Sequence, residues 1–283
     1  MTWYTSAGRM TLVNIRKRET IMRKESDLLF SDHSNFFTMS NDANDTSVVP
    51  SMNEPDWYNN AQKYWTNVDA TVDGVLGGFE SVDPIDVKGS LSFVNEFVHG
   101  GRHGTVLKPP VITNGYACDC GAGIGRVTKN FLLKVPFQKV DLVEQAPNFV
   151  QQAKDEYLAA EIKQGLIGEI YSQGLQDFVP EQGKYDLIWC QWVLGHLTDE
   201  HLVAFFKRCI KGLKPNGLIG VKENNSSKGY LLDEEDSSVT RPNTAFKKIF
   251  KEAGLEVVKE GIQRGLPAGL FAVRMYMLKP IAE

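Results

Sequence analysis

From residue 56 onward the apolar positions fall into short periodic runs, and the spacing of the runs changes along the chain. Trp57, Tyr58, Ala61, Tyr64 and Trp65 recur every three to four residues behind Asp56, the pattern of a helix capped by that aspartate. Val68–Gly78 is glycine-rich and reads as a loop. Asp86–Val98 reads as a second helix, with Leu91, Phe93, Val94 and Phe97 turned inward. Beyond residue 110 the runs shorten. Val111, Ile112, Tyr116 and Ala117 form a strand leading into Asp119-Cys-Gly-Ala-Gly-Ile-Gly125, and a helical pattern follows over Val127–Leu133. Further strands are expected at Val140–Glu144, Gly168–Gln173, Tyr185–Cys190, Leu218–Val221, Leu255–Lys259 and Phe271–Leu278. Helices are expected over Pro147–Ala160, from His196 to about Leu213, and over Asn243–Ala253 with Gly254 as the stop. Tyr185–Cys190 is apolar almost throughout, as strands buried on both faces of a parallel sheet are.

Repeated strand–helix units predict an α/β fold: a seven-stranded, mostly parallel sheet with helices on both faces, preceded by an N-terminal helical cap. The expected divisions are an arm over residues 1–55, the cap over 56–110 and the sheet domain over 111–283. The arm is basic at first, with Arg9, Arg16, Lys17, Arg18, Arg23 and Lys24 against Glu19, and then polar over Ser31–Asn53. It holds too little apolar surface to offset ordering entropy, so disorder is expected there. Its basic charge is compatible with entry into the nucleus, the expected location, together with the cytoplasm.

Composition narrows the function classes. A net charge of −4 argues against a nucleic-acid partner. No apolar run approaches the roughly 18 residues that span a membrane. Cys118, Cys120, Cys190 and Cys209 lack Cys-x-x-Cys spacing, so neither a zinc site nor a disulfide framework is expected, and no metal.

The candidate chemistry gathers where parallel strands end. In such sheets ligands lie outside the carboxyl ends of the strands. The glycine turn Gly121–Gly125, the acid Glu144, and Gln191, Trp192 and Asn224 all fall at those ends. An acid at position 144 can accept both hydroxyls of a ribose. The third glycine comes one residue too early for the dinucleotide fingerprint Gly-x-Gly-x-x-Gly. Asp233-Glu-Glu-Asp236 is a solvated acidic loop on pattern alone, or an electrostatic reader of a cationic substrate.

The turn Asp119-x-Gly-x-Gly-x-Gly125 resembles motif I of class I S-adenosylmethionine-dependent methyltransferases. From Tyr64 onward the chain resembles the protein N-terminal α-amine methyltransferases, which methylate chains beginning Xaa-Pro-Lys/Arg. The matches are Tyr64-Trp65, Thr71-Val-Asp-Gly74, Leu76-Gly-Gly78, Asp119–Arg126, Gly174-Leu-Gln-Asp-Phe178, Gln191-Trp192, Gly195-His-Leu-Thr-Asp199, Pro215-Asn-Gly217, Asp233 and Asp236-Ser-Ser-Val239. The resemblance implies a class I methyltransferase (Rossmann-like) fold with S-adenosylmethionine as cofactor, and the N-terminal tails of proteins, after Met removal, as partners. It also implies that Gly121, Arg126, Glu144, Leu175, Gln176 and Gln191 hold the cofactor. Trp65, Trp192, Asn224, Asp233, Asp236 and Ser238 would hold the substrate, with His196 and Asp236 as candidate proton acceptors. With its longer arm the chain most resembles the second member of the vertebrate pair in that family, and two positions depart from the first member's pattern: Glu144 is longer than its aspartate, and Phe271 stands where it has tyrosine. A methyltransferase of small-molecule amines and a non-catalytic binder of protein N-termini remain alternatives. A nicotinamide oxidoreductase is the weakest reading, because the third glycine is misplaced and no acid–base pair suits hydride transfer.

Overall fold

The computed structural model describes residues 54–103, 106–113 and 115–282; residues 1–53 of the expected arm lie outside them. Residues 49–266 and 271–283 cluster as one compact unit, and the architecture below is that unit's. Helix α1 (Glu54–Thr66) starts ahead of the predicted cap. Asp56 therefore lies inside its first turn, beside Pro55, whose missing N–H costs nothing there. A single helical turn, α2 (Val72–Val75), interrupts the expected loop, and the Thr71 hydroxyl accepts from the Gly74 N–H at 3.0 Å. Helix α3 (Asp83–His99) begins before its predicted start, with Pro84 in the first turn. It buries Asp86, Ser90, Phe93, Val94 and Val98, a stripe of helical spacing. A hairpin of β1 (Gly101–His103) and β2 (Val106–Lys108) leads on to the sheet.

Then come β3 (Tyr116–Cys120), α4 (Arg126–Asn130), β4 (Lys139–Val143), α5 (Pro147–Gln152), α6 (Ala159–Lys163), β5 (Ile167–Tyr171) and β6 (Tyr185–Gln191). They are followed by α7 (Asp199–Gly212), β7 (Leu213–Ser226), β8 (Leu231–Asp233), β9 (Ser238–Pro242), α8 (Asn243–Glu252), β10 (Leu255–Ile262) and β11 (Ala272–Pro280). Seven strands lie in the spatial order β10-β11-β7-β6-β3-β4-β5, with β9 paired to β7 and β8 to β9. β5, β4, β3, β6 and β7 are parallel neighbours, while β11 runs antiparallel to both β7 and β10. This is the expected mostly parallel α/β sheet. On one face α7 and α8 bury Phe205, Phe206, Cys209, Phe246 and Phe250 against Ile188, Ile219 and Val221. On the other, Phe93, Val94 and Val98 of α3 join Phe131 and Leu132 over Leu142, Leu187, Trp189 and Met277.

Three predicted elements take other forms. The strand expected from Val111 begins only at Tyr116, because the Val111 and Ile112 N–H groups are taken by the Phe97 carbonyl of α3. The helix expected over Pro147–Ala160 is divided by a wide π-turn, Ala153–Tyr157. That turn carries Leu158, fully buried, under the glycine turn, where a Cβ added at Gly125 would stand 2.4 Å from its Cδ1. Lys214-Pro-Asn-Gly217, expected as a turn ahead of the strand, lies within β7. Pairing with β6 jumps there from Tyr185↔Leu213 to Leu187↔Leu218, so the turn survives as a bulge in the ladder. β7 then runs on to Ser226, which places Asn224 inside a strand, opposite Val273.

Candidate active site

The chain leaves β3 for β4 and β5, then returns through β6 to β7. The strand order thus reverses between β3 and β6, where doubly wound sheets form their ligand crevice. A cavity opens there. Gly121 and Gly123 line it from the glycine turn, Val143, Glu144 and Gln145 from the β4 exit, and Phe149 from α5. Gln173–Gln176 close one side, and Trp192, Val193, His196 and Leu197 another. Tyr58 and Trp65 of α1 and Val75 of α2 complete the wall from the N-terminal helices.

The glycine turn is shaped by the protein's own packing as well as by access. Gly121, Gly123 and Gly125 have φ of 72°, 57° and 89°, in the left-handed region. A Cβ at Gly121 would stand 2.3 Å from Val193 Cγ2. Glu144 ties the turn to β4: Oε2 accepts from Gly123 N and Oε1 from Ala146 N, each at 2.8 Å. Burial pushes the Glu144 carboxyl above its ordinary pKa, against the pull of those N–H groups. Asp119, 1% exposed, accepts from Thr128 Oγ1 at 2.7 Å and so braces α4; burial lifts its pKa to about 6. The helix after the turn is only five residues long. The Leu175–Gln176 wall is held from behind by Arg208, which donates to the carbonyls of Leu175 and Gln176 at 2.9 Å and of Phe178 at 2.7 Å.

Trp192 is the strained member. Its φ is 53°, its N–H donates to the Lys222 carbonyl at 3.0 Å, and its indole Nε1 is buried with no hydrogen-bond partner among the described residues. Glu223, 5% exposed, accepts from Val193 N and Leu194 N, both at 2.8 Å, and burial lifts its pKa to about 7. Arg241, fully buried, donates to the Leu194 and Leu197 carbonyls at 3.0 and 2.5 Å and pairs with Asp199 at 2.7 Å. An acceptor on β7 and a donor fork on β9 thus fix the segment bearing Trp192 and His196.

His196 lies in the 3₁₀ turn Leu194–His196; the cap of α7 is Thr198, whose hydroxyl accepts from His201 N. The Trp65 indole can only donate, so His196 Nε2 is the acceptor of their 3.0 Å bond. The ring proton is thereby assigned to Nδ1, which donates to the Ser237 carbonyl at 3.0 Å. Trp57 Nε1 donates to the His196 carbonyl at 2.7 Å, and Tyr58 Oη meets His201 Nδ1 at 2.7 Å. The polar tips of Trp57, Tyr58 and Trp65 therefore all reach the segment 196–201.

Among the expected site residues, Trp65, Gly121, Glu144, Leu175, Gln176, Trp192 and His196 share the cavity wall. Arg126, Gln191, Asn224, Asp233, Asp236 and Ser238 are not part of that lining. Arg126 is 4% exposed, bonds Asp83 and Asp86, and stacks 5.6 Å from the Trp192 ring. Gln191 bonds Asp86 and accepts from Trp189 Nε1. Asp233 ends β8 and accepts from Glu235 N, Asp236 is buried in the following turn, and Ser238 begins β9. This hairpin reaches the cavity through the His196–Ser237 bond. Sequence reading missed Tyr58, Val75 and Val193 as wall residues, and Arg208, Glu223 and Arg241 as supports. Lys222-Glu223 directly after the apolar run Leu218–Val221 was the available signal, since charge that deep in a central strand needs partners.

The family model described as AdoMet dependent proline di-methyltransferase matches residues 53–279. The chain belongs to that family. It is 46% identical over 232 residues to the alpha N-terminal protein methyltransferase 1 of Drosophila melanogaster, covering 81% of this chain and 79% of that one. It is 42% identical to the N-terminal Xaa-Pro-Lys N-methyltransferase 1 of Bos taurus, covering 80% and 96%. A solved SAM-dependent methyltransferase of Leishmania major superposes with a TM-score of 0.69 at 39% identity, over 79% of this chain and 83% of that one. The protein is thus an S-adenosylmethionine-dependent methyltransferase of the class I fold. Its cavity suits that cofactor: an acidic oxygen pair at the β4 exit, a side-chain-free turn beside it, and the held Leu175–Gln176 wall.

Proposed function

We propose that the protein methylates the α-amine of protein N-termini that begin Xaa-Pro-Lys/Arg once Met is removed. The observation that carries this reading is the meeting of Trp65, Trp192 and His196 in the same cavity as Glu144 and the motif I turn. Two indoles offer an apolar wall for a proline ring, and the hairpin that carries the acids Asp233 and Asp236, suited to ammonium groups, reaches the cavity through the His196–Ser237 bond. The named relatives, at 42–46% identity, support the same substrate class.

When bound, the cofactor supplies an electrophilic methyl on a sulfonium. Gly121, Glu144, Leu175 and Gln176, with Arg126 and Gln191, would hold it. Trp65, Trp192, Asn224, Asp233 and Ser238 would hold the peptide with its α-amine toward the cofactor, as in-line methyl transfer requires. An α-amine has a pKa near 8, so a minority is neutral at pH 7, and nearby carboxylates lower that fraction further. His196 or Asp236 takes the proton that must leave. The basic arm supports a nuclear location, with the cytoplasm as well; imaging of the tagged full chain against one lacking residues 1–24 tests it.

The function is tested by mass spectrometry of a Ser-Pro-Lys-Arg peptide incubated with the protein and S-adenosylmethionine. Steps of ~14 Da, one CH₂ each, on a free α-amine and none on its acetylated form are expected. Cofactor binding without any mass change overturns the reading.

A further inference from the structure

One buried polar cluster outside the cavity joins α3 to the sheet. Asp86 is 1% exposed. Its Oδ1 lies 2.5 Å from Lys222 Nζ and its Oδ2 2.9 Å from Arg126 Nη1, and the Gln191 amide donates to both oxygens at 3.0 and 2.9 Å. Lys222, fully buried in β7, also reaches the Asp86 carbonyl, Ser90 Oγ and Gln263 Oε1 at 2.9, 3.0 and 2.8 Å. Asp83 adds a second carboxylate to Arg126 Nη1 at 2.6 Å and accepts from Asn130 Nδ2. Burial works against the Asp86 charge, but the Lys222 and Arg126 cations outweigh it and hold its carboxyl below the usual range.

Stability alone is a poor reason for such a cluster. Well-packed apolar side chains in place of a buried ion pair are often neutral or stabilising. Position is the better reason. Arg126 and Gln191 are the two cofactor-assigned residues that lie off the cavity lining, and both meet on Asp86. They also flank Trp192, a wall residue: Gln191 precedes it in the chain and the Arg126 guanidinium lies over its ring. Both carboxylates take Arg126 by Nη1, which leaves Nη2 and Nε outside these pairs.

We propose that Asp86, with Asp83, is a positioning residue for cofactor recognition. By fixing Arg126 through Nη1 and Gln191 through its amide, α3 aims the other guanidinium donors at the cofactor's carboxylate. Recognition then requires that α3 be docked on the sheet. The inference rests on the proposed cofactor roles of Arg126 and Gln191.

The test is calorimetric binding of S-adenosylhomocysteine, read beside thermal melting, in Asp86→Asn, Lys222→Met and the double variant. Asp86→Asn strands the buried Lys222 cation, leaves Arg126 with Asp83 alone, and melts early. The double variant restores charge balance: its Tm recovers, yet its Kd stays at least tenfold weaker than that of the unaltered protein. Recovery of both Tm and Kd makes Asp86 a mere counter-ion and overturns the proposal. Should the double variant not fold, Asp83→Asn decides, with a several-fold weaker Kd expected and an unchanged Kd counting against the proposal. Arg126→Lys and Gln191→Ala separate the levels. If neither alters Kd, the cofactor assignment beneath the inference fails; if both weaken it while the double variant does not, only the positioning role fails.

Discussion

Gly121→Ala separates two reasons for a glycine at the head of the cofactor turn. The residue sits at φ 72°, where an alanine side chain costs about 1–2 kcal/mol. The added Cβ would also stand 2.3 Å from Cγ2 and 2.5 Å from Cβ of Val193. Relieving such overpacking typically costs a further ~1–3 kcal/mol. The sum, about 2–5 kcal/mol, is a large part of an ordinary domain's stability and at its centre lowers Tm by roughly 7–14 °C.

The strain and the clash are separable. Because Cβ as well as both Cγ atoms of Val193 obstruct the site, Val193→Gly is the partner that clears it. In a double-mutant cycle by urea unfolding, the two changes are expected to couple by about 1–3 kcal/mol, the overpacking share, while the backbone share persists. Cofactor affinity should fall with Gly121→Ala and recover in part in the double variant, since Val193 lines the same cavity. Coupling below about 0.5 kcal/mol refutes the claim that Gly121 makes room for the β6 exit, and leaves the backbone conformation as its whole reason.

Arg208→Ala removes all three bonds to the Leu175–Phe178 carbonyls; calorimetry should show cofactor Kd weakened about tenfold, or ~1.4 kcal/mol, with peptide KM little changed at saturating cofactor. Glu223→Gln keeps an acceptor for Val193 N and Leu194 N but no longer titrates. The folded pKa of Glu223 is raised from 4.5 to about 7, so the native state retains a proton that the unfolded chain loses between those values. Its contribution therefore becomes less favourable as pH rises through that window, by up to about 3 kcal/mol. Urea unfolding at pH 5 and pH 8 should show the wild type losing stability relative to Glu223→Gln at the higher pH, and equal shifts in both would contradict it. Trp65→Phe keeps an aromatic wall and deletes the donor to His196 Nε2. If that ~1 kcal/mol bond must break before the proton leaves, kcat rises about fivefold at unchanged cofactor Kd; an unchanged kcat takes the bond off the path.

The sheet was legible because its central strands are apolar runs between glycine and polar breaks, and β6, buried along its whole length, is the plainest of them. The glycine turn and the acid at position 144 were legible because their chemistry is local. Long-range pairing was not. Nothing near Arg126 in the chain announces that its carboxylates lie 43 and 40 residues upstream, on a helix read as an ordinary apolar stripe. Asn224 was placed beyond its strand because Lys222, Glu223 and the residues after them look like the end of an apolar run. Neighbouring β11 and buried partners let β7 continue to Ser226. Lys214-Pro-Asn-Gly217 was read rightly as a bend and wrongly as an end, since a bulge keeps the ladder going past it.

The two candidate proton acceptors are less independent than their sequence positions suggest. His196 Nε2, the atom that would take a proton, is occupied by the Trp65 indole, while Nδ1–H is committed to the Ser237 carbonyl. Ser237 is the neighbour of Asp236 and holds a left-handed φ of 52°, so the imidazole and the acidic turn share one backbone group. On the proposed function, a peptide proline seated against Trp65 and Trp192 would shift the indole that masks His196. Losing one neutral hydrogen bond costs only about 1 kcal/mol, well within what burying a proline side chain returns. Once Nε2 is free, the ring presents its unprotonated nitrogen to the cavity while Nδ1–H stays on the Ser237 carbonyl. With His196 as the proposed base, arrival of the substrate and exposure of the base would then be a single event on the α1 side of the cavity. A base exposed only with the amine in place is less open to bulk protons than one that faces water continuously.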